Sequence, residues 1–295
     1  MKLSIVICAY NRDKYIRQVI QKIEEQTCDK KLFELVIVNN NSSDNTDAIC
    51  REFEQNRGDL QYQYVIEKKP GLSNARNCGI VTAKGDSIVF IDDDALAEPE
   101  FAANIIKHFD NNPDVDAMGG KILPLFPANK EPEWLSPYLY GLVAKIDHGD
   151  KVKVYTNKYP AGCNMAFRKH IFDEIGMFNP DIIWRNDDKY IFLQIKKFNK
   201  KVLYVPDAVV HHIIDAFRLE EKFLDKIIFS IGSSERVRLQ NESFFVKARK
   251  ALEYFIKFGA SFIFLAKFLL TGQTKKGTYL VYVRWNVFLS FFQKA

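Results

Sequence analysis

Three consecutive aspartates, Asp92, Asp93 and Asp94, are the residues whose type and spacing point most directly to chemistry. They follow the apolar run SIVFI, which is typical of a buried strand. Because side chains alternate along an extended backbone, we expect Asp92 and Asp94 to face one side and Asp93 the other. Two carboxylates on one side suit a hard divalent cation, which takes oxygen ligands and leaves room for phosphates. An aspartate-rich turn that caps the helix after Pro99 is the alternative explanation.

A histidine and a second acidic pair accompany the triplet. His212 ends the run VLYVPDAVVHH, and His211 is expected to face the other side of that strand. Asp187 and Asp188 stand where a helix is expected to begin, and the alternative is that Asn186 or Asp187 caps that helix, whose dipole favours negative charge there. Together these residues are of the types used in metal-assisted and acid–base chemistry.

Alternating strands and helices are the elements expected to position these residues. Apolar, β-branched runs alternate with helix-like segments, which predicts a parallel α/β sheet flanked by helices. The polar clusters YNRD, NNNSSDNT, KKPG and DDD follow successive strands. Ligands bind at the carboxyl ends of the strands in such sheets, so we expect these clusters to converge on one edge. The predicted strands are 3–9, 33–38, 62–67 and 87–91, and the predicted helices are about 14–26, from near Asp44, and 72–83.

The rest of this region is less regular in pattern. We expect residues 113–160, which are rich in proline and aromatic residues, to form an irregular surface segment. A strand and a short helix are expected over 162–178. A further helix over about Asp188 to Phe198 and a strand over 201–212 complete the prediction.

Composition and missing motifs narrow the possible classes of function. With 295 residues, 47% hydrophobic and 27% charged, the chain has the balance of an ordinary globular protein. Its five cysteines include no CxxC pair, which argues against a disulfide framework or a zinc ribbon. The patterns GxGxxG, GxxxxGKS or GxxxxGKT, and GxSxG are missing, which argues against dehydrogenases, P-loop nucleotidases and serine hydrolases. The N-terminus is too polar for a signal peptide, so a cytoplasmic protein is expected.

The C-terminal region differs in charge and in pattern. From Phe217 onward the sequence has 14 Lys and Arg residues against 6 Asp and Glu residues. Segments 254–270 and 279–292 are apolar with a thin polar face, and the first is shorter than the roughly 20 apolar residues of a spanning helix. We expect them to lie on an anionic membrane surface, at the inner face of the cell membrane. Packing on the catalytic domain or on a second copy of the chain is the alternative, and no nucleic-acid partner is expected.

Several motifs occur in the order and spacing seen in family 2 glycosyltransferases. They are SIVICAYNR, VIVNNNSSDNT, PGLSNARNCGIVTAKGDSIVFIDDDALAEPEF, GCNMAFRK and VLYVPDAVVHH. The resemblance covers roughly residues 1–215 and implies a GT-A fold, a Rossmann-like and mostly parallel sheet flanked by helices. The expected catalytic domain spans 1–215, with a nucleotide-sugar-binding part over about 1–122 and an acceptor-side part over about 123–215. An amphipathic helical region over 216–295 follows it.

The resemblance implies a role for each matching residue. The positions that match the donor-binding loops of the family are Ala9, Tyr10, Asn11, Asn40, Arg76, Asp92 and Asp93. Asn40 replaces the aspartate with which many members recognise the uracil ring, so the resemblance does not fix which nucleotide the donor carries. Asp94 matches the direct metal ligand, and His212 matches a histidine near the metal or the diphosphate.

The acid–base element of the family usually reads Gly-Glu-Asp. Here Asn186 replaces the glycine, Asp187 occupies the glutamate position and Asp188 occupies the position of the catalytic base. Gln194 stands where an arginine is common. The resemblance therefore implies Asp188 as the base and Asp187 as its catalytic neighbour.

The implied activity is an inverting transfer of a sugar from a nucleotide sugar, with a UDP-sugar as the first expectation, assisted by Mn²⁺ or Mg²⁺. The acceptor would be a hydroxyl of a glycan or of a lipid-linked molecule in surface polysaccharide or glycoconjugate synthesis. A non-catalytic nucleotide-binding or partner subunit of a glycan-assembly complex is the alternative, suggested by Asn39, Asn40 and the altered acidic pair. A sugar-phosphate nucleotidyltransferase is a third possibility, but the glycine-rich basic loop that it needs is missing.

Overall fold

The computed structural model describes residues 1–156, 158–182 and 186–293. The chain divides into two compact units. The first comprises Met1–Leu123 and Ile146–Ile213, and the second comprises Pro124–Lys145 and Ile214–Ala295. The second unit begins near the expected boundary at residue 215, but it also takes in Pro124–Lys145, which we expected in the catalytic domain.

A mixed β-sheet forms the centre of the first unit. The first four strands of the chain are parallel and adjacent, and from one edge of the sheet their order is β3-β2-β1-β4. Their bounds are β1 Leu3–Ala9, β2 Phe33–Asn39, β3 Gln61–Ile66 and β4 Ser87–Asp92. The sheet continues through β8 (Asn164–Arg168), β6 (Ala117–Leu125), β9 (Val202–Ile213) and β5 (Ala95–Ala97), and β7 (Lys153–Val154) pairs with β9. The predicted parallel strands are confirmed, whereas the later pairings of β4 with β8, of β8 with β6, and of β9 with β5 and β7 are antiparallel.

Helices flank this sheet and bury one apolar side each. In α1 (Ile16–Glu24) the residues at helical spacing, Ile16, Val19, Ile20 and Ile23, are buried. The other helices of the first unit are α2 (Thr46–Asn56), α3 (Leu72–Thr82), α4 (Phe101–Asn111), α5 (Ile171–Ile175) and α6 (Asp187–Lys197). The predicted helices agree with these bounds to within a few residues.

Strand β6 corrects the expectation that residues 113–160 are irregular. It supplies nine residues to the sheet, and Met118 pairs with Ala166 of β8. Gly119 and Gly120 weaken the strand pattern in the sequence because glycine has low strand propensity. The structure gives the reason for Gly120: a Cβ there would lie 1.8 Å from the carbonyl oxygen of Ala208, so only glycine allows this close approach.

The second unit is helical. Its long helices are α7 (Glu221–Arg238), α8 (Phe244–Leu270) and α9 (Thr274–Ser290), with 3₁₀ turns at Pro127–Asn129, Pro137–Val143 and Ala216–Leu219. Leu139, Ile228 and Leu280 are among the buried side chains that form its core. Within the described ranges, none of the helices combines the length and the apolar character that crossing a membrane requires.

Candidate active site

The loops that follow β1 and β2 are tied together at the carboxyl edge of the sheet. Asn11 has a left-handed backbone, with φ 53°, and its side-chain oxygen accepts a 2.8 Å hydrogen bond from the backbone N–H of Ser43. In return, the backbone N–H of Asn11 donates to the hydroxyl of Ser42 at 3.0 Å. Ala9 is buried, whereas the Tyr10 residue is 60% exposed. The convergence expected for the first two polar clusters is thus observed.

Asn40 ties the loop after β2 to the loop after β3. Its side-chain amide donates to the carbonyl oxygens of Glu67 at 2.9 Å and Lys69 at 2.7 Å. Its side-chain oxygen accepts from the backbone N–H of Gly71 at 2.9 Å. Both amide hydrogens of this buried residue therefore have a partner in the chain. The nucleobase contact implied for Asn40 stays a prediction, and the observed bonds give this residue a role in shaping the loop.

Asp92, Asp94 and His212 form a cluster that could hold a metal ion. Each offers one ligand atom, and the three atoms lie within 4.8 Å of one another. Strand β5 pairs with β9 so that Ala95 stands opposite His212, which brings the imidazole beside the acidic triplet. The His212 Nε2 lies 3.2 Å from Oδ1 of Asp94, and both residues are buried. The expected proximity of these residues is observed, but Asp94 lies in the turn after β4 and not on the extended strand that the alternation argument assumed.

Asp93 lies with Asp94 in the turn between β4 and β5, not on the strand itself, and it contacts a different group from Asp92. Its carboxylate accepts a 2.8 Å hydrogen bond from Nε of Arg12 and a 3.3 Å bond from the backbone N–H of Tyr10. Burial raises the pKa of Asp93 to about 7, and the charge of Arg12 opposes that shift. Arg12 also approaches Asp94, with 3.6 Å between Nη2 and Oδ2. No role for Arg12 was predicted from the sequence. The indication that it could belong to the site was its position in the polar cluster that follows β1.

Arg76 is buried and joins the triplet to the start of α6. Its Nη1 donates to the carboxylate of Asp187, and its Nη2 lies 3.4 Å from Oδ1 of Asp92. Nη2 also donates to the carbonyl oxygen of Gly162 at 3.2 Å. Burial raises the pKa of Asp92, and the charge of Arg76 opposes that shift. One guanidinium therefore contacts two carboxylates, which is possible because its two terminal nitrogens point in different directions within one plane.

Aromatic rings hold the Arg76 side chain in place. Its guanidinium carbon lies 5.8 Å from the centre of the Phe90 ring and 5.5 Å from that of Phe178. Gly162 gives it room, because a Cβ at that position would lie 2.5 Å from Nη2. The phosphate contact implied for Arg76 stays a prediction. Its contacts in the structure are those of a residue that positions two carboxylates.

Asp188 is the second acidic residue of α6 and lies beside this network. Its carboxylate accepts hydrogen bonds from the backbone N–H groups of Gly162 at 3.2 Å and Lys189 at 2.6 Å. Burial raises the pKa of Asp188 to about 6; the Asp187 carboxylate raises it further, and Arg76 opposes both. A carboxyl group with such a pKa is suited to accept a proton near neutral pH. Gly162 contacts both Arg76 and Asp188, a role that its place in the sequence did not reveal.

The two acidic residues of α6 differ in their partners. Asp187 is 4% exposed and its carboxylate is bonded to the guanidinium of Arg76, whereas the carboxylate of Asp188 accepts hydrogen bonds from backbone N–H groups. The arrangement thus combines three candidate metal ligands, of which Asp94 and His212 are buried, with a guanidinium bridge and a carboxylate with a raised pKa. Such a combination can bind a charged phosphate group and accept a proton from a nucleophile.

Comparison with known proteins identifies the family. Residues 4–176 match the model of the family described as "Glycosyl transferase family 2". This match ends before Asp187, so it contains the triplet but not α6 or the end of β9. The chain is also 29% identical over 251 residues to "Glucosyl-dolichyl phosphate glucuronosyltransferase" of Haloferax volcanii, covering 80% of this chain and 77% of that protein.

Two solved structures resemble the fold. The mannosyltransferase PcManGT from Pyrobaculum calidifontis, in complex with GDP-Man and Mn²⁺, is similar with a TM-score of 0.68 and 17% identity, over 98% of this chain and 85% of that one. TarS 1-349 of S. aureus, in complex with UDP-GlcNAc, is similar with a TM-score of 0.56 and 17% identity, over 78% of this chain and 65% of that one. The GT-A fold expected from the sequence is thereby confirmed, and the chain belongs to glycosyl transferase family 2 and is a glycosyltransferase.

Proposed function

We propose that this glycosyltransferase is an inverting, divalent-metal-dependent enzyme that moves a sugar from a nucleotide sugar to a hydroxyl group. The observation that carries the proposal is the guanidinium bridge of Arg76. It joins Asp92 of the metal-ligand set to Asp187, the neighbour of the proposed base Asp188. A site for diphosphate and a site for proton transfer are thus linked through one buried side chain.

The donor is proposed to bind at the edge formed by the loops after β1, β2 and β3. The exposed ring of Tyr10 offers a face on which a nucleobase can stack. Ala9, Asn11 and Asn40 shape the same edge through their backbone and amide contacts. Two structural relatives hold UDP-GlcNAc and GDP-Man, so the nucleotide is best identified with a panel that contains both bases.

Asp92, Asp94 and His212 are proposed to hold the cation. Two carboxylates and one imidazole form a donor set that suits Mn²⁺, and Mg²⁺ fits the oxygen ligands. The closely spaced carboxylates of Asp92 and Asp94 also need a compensating positive charge, as the raised pKa of Asp92 indicates. A bound cation would act as a Lewis acid that offsets the charge developing on the departing diphosphate.

Asp188 is proposed to be the general base. A neutral hydroxyl is a weak nucleophile, so the carboxylate accepts its proton as the oxygen attacks the anomeric carbon. The bond from that carbon to the diphosphate oxygen breaks, and the electron pair leaves with the nucleoside diphosphate. Direct displacement inverts the configuration at the carbon. The hydrogen bonds from Gly162 and Lys189 hold the Asp188 carboxylate in one orientation for this step.

The acceptor is proposed to be lipid-linked. The name of the Haloferax volcanii relative gives glucosyl-dolichyl phosphate as the molecule to which that enzyme transfers glucuronosyl groups. An acceptor of this class carries a sugar hydroxyl on a phosphorylated polyprenyl chain. Surface polysaccharide or glycoconjugate synthesis is the process that such a transfer would serve.

The test is turnover of a panel of UDP- and GDP-sugars with polyprenyl-phosphate-linked glucose and with free glycans, in the presence of Mn²⁺. We expect release of nucleoside diphosphate with at least one donor, and a product of inverted anomeric configuration by NMR. Asp188→Asn should reduce kcat by about 100-fold or more, which is the contribution of a general base. The matched control is Asp173→Asn, because Asp173 also lies in the first turn of a helix but is exposed. A retained configuration, or an Asp188→Asn variant with full activity, would contradict the proposed mechanism.

A further inference from the structure

Helix α8 carries an apolar stripe that is exposed along its whole length. The stripe consists of five large apolar residues: Phe245 is 82% exposed, Leu252 57%, Ile256 59%, Ile263 72% and Leu270 89%. Their spacing of seven, four, seven and seven residues places them on one side of the helix. The opposite side is the one that packs, since Tyr254, Ser261 and Phe268 are buried. The stripe extends over about 40 Å, the length of a helix of this size.

Aromatic rings from α8 and α9 extend the exposed apolar surface. Phe258 contacts Trp285, with 4.8 Å between ring centres, and Phe262, with 5.2 Å. Phe288 in turn contacts Trp285 at 5.7 Å. Phe255 and Phe292 also contact Phe288, at 5.6 Å and 5.2 Å between ring centres. Four members of this aromatic cluster are between 39% and 54% exposed, namely Phe255, Phe262, Trp285 and Phe292. An apolar surface of this extent on a monomer usually marks an interaction site.

The charges on the same helices are almost all positive. Helix α8 has one acidic residue, Glu253, which pairs with Lys250 and Lys257. Helix α9 has none and contains Lys275, Lys276 and Arg284. The exposed Arg249 and Lys267 form no ion pair in the part of the chain that the structure describes.

Arg249 and Lys267 border the apolar stripe. Arg249 follows Phe245 by four residues, and Lys267 follows Ile263 by four, so each cation lies one helical turn from a stripe residue. Their long side chains can reach beyond the apolar surface while their aliphatic parts stay in contact with it. The surface is therefore apolar in the middle and positive at its edge.

We propose that this surface, the α8 stripe with the aromatic cluster and its bordering cations, docks on an anionic lipid surface. Helix α8 would lie in the plane of the interface, with the stripe among the acyl chains and Arg249 and Lys267 at the headgroups. Tryptophan suits this depth, because its indole N–H can face water while its ring lies in the apolar layer, and the phenylalanine rings join the stripe on the apolar side. This inference goes beyond the transfer reaction and does not depend on it.

The charge of the surface favours lipid over a second copy of the chain. Two copies docked through this surface would bring Arg249 and Lys267 of each near those of the other. The acidic residue of α8, Glu253, is already engaged with two lysines, so it could not offset that repulsion. Anionic headgroups supply the missing negative charge, at a contribution of roughly 1 kcal/mol, or a fivefold factor in affinity, for each basic residue near the surface.

The test is cosedimentation of the full chain with vesicles of phosphatidylcholine alone and of phosphatidylcholine with phosphatidylglycerol. We expect binding to the anionic vesicles and little to the neutral ones. Ile263→Glu combined with Leu270→Glu should weaken binding tenfold or more, since each substitution removes an exposed apolar side chain that would be buried among the acyl chains. The matched control is Val81→Glu with Val152→Glu, which adds the same charge at exposed valines of the first unit.

The contribution of the cations is tested separately. Arg249→Glu combined with Lys267→Glu should weaken binding to anionic vesicles by about thirtyfold or more, from a fivefold factor for each lost cation. The control is Lys107→Glu with Lys151→Glu, which changes the net charge equally at exposed lysines elsewhere. Circular dichroism of every variant establishes that the helices are retained.

Three outcomes would overturn the proposal. The first is failure of the full chain to bind vesicles of either composition. The second is equal weakening by the stripe variants and their controls, because net charge rather than this surface would then explain binding. The third is a dimer in light scattering that the stripe variants dissociate while vesicle binding is unchanged, which would assign the surface to a second copy of the chain.

Discussion

Replacing Arg76 by lysine tests the guanidinium bridge directly. Lysine keeps the positive charge but has one ammonium group, so it can retain the bond to Asp187 and cannot also reach Asp92 and the carbonyl oxygen of Gly162. A hydrogen bond with a charged partner contributes about 1.5–3 kcal/mol, and the bond to Asp92 is long at 3.4 Å. We therefore expect the free energy of unfolding to fall by about 2 kcal/mol.

The effect on activity should be larger than the effect on stability. Without the fork, Asp92 and the start of α6 are no longer held by one group, and a displacement of about 1 Å at a reacting centre costs roughly 100-fold in rate. We expect kcat/KM for nucleoside diphosphate release to fall by about 100-fold, measured at a temperature where the variant is fully folded. Urea unfolding monitored by circular dichroism gives the stability in parallel.

Arg168 supplies the matched control for this substitution. It also uses its guanidinium for several bonds, to the carbonyl oxygens of Val115 at 2.8 Å, Phe109 at 2.8 Å and Asn112 at 3.2 Å. It also lies over an aromatic ring, with 5.0 Å to the centre of Phe109. Arg168→Lys should lower stability to a similar extent and leave activity per folded molecule unchanged. Wild-type activity in Arg76→Lys, or an equal loss in both variants, would show that the bridge has no role in the site.

Three further predictions concern the same site. His212→Ala should raise the Mn²⁺ concentration needed for half-maximal activity by tenfold or more, whereas His211→Ala, on the opposite side of β9, should leave it unchanged. Activity should fall as the pH is lowered through about 6, because the pKa of Asp188 is raised to about 6 and the base must be ionised. A profile of kcat/KM that is flat down to pH 4, which is about the ordinary pKa of an aspartate, would exclude Asp188 as the base. Gly162→Ala should lower kcat severalfold or more, since its Cβ would displace the Nη2 of Arg76; unchanged kinetics would show that the guanidinium position is not critical.

The fold of the first unit could be predicted where burial alone decides the structure. Strands β1 and β2 are buried along almost their whole length, so their sequences are mostly apolar and leave little ambiguity. Strand β6 could not be predicted in this way. Gly120 lets the backbone of Ala208 approach, and Gly119 leaves room for Pro160; both requirements are set by residues that lie far away in the sequence.

The candidate site likewise contains residues that could be predicted from local sequence and contacts that could not. The position of His212 follows from its motif, whereas Asp94 reaches Asp92 through the turn between β4 and β5 and not through strand alternation. The contacts of Arg12 with Asp93, and of Gly162 with Arg76 and Asp188, depend on how distant loops meet, which local pattern does not encode. Asn40 illustrates the same limit: its sequence position suggested a ligand contact, and its side chain is found bonded to the backbone of residues 67–71.

The central claim is that Asp92, Asp94 and His212 hold the divalent cation on which sugar transfer depends. The most direct measurement is anomalous scattering from a crystal of the full chain soaked with Mn²⁺ and a nucleoside diphosphate. We predict a manganese peak in contact with Asp94 and His212 and with the diphosphate oxygens. A peak bound by other residues, or no peak in a crystal that contains the bound nucleotide, would contradict this claim.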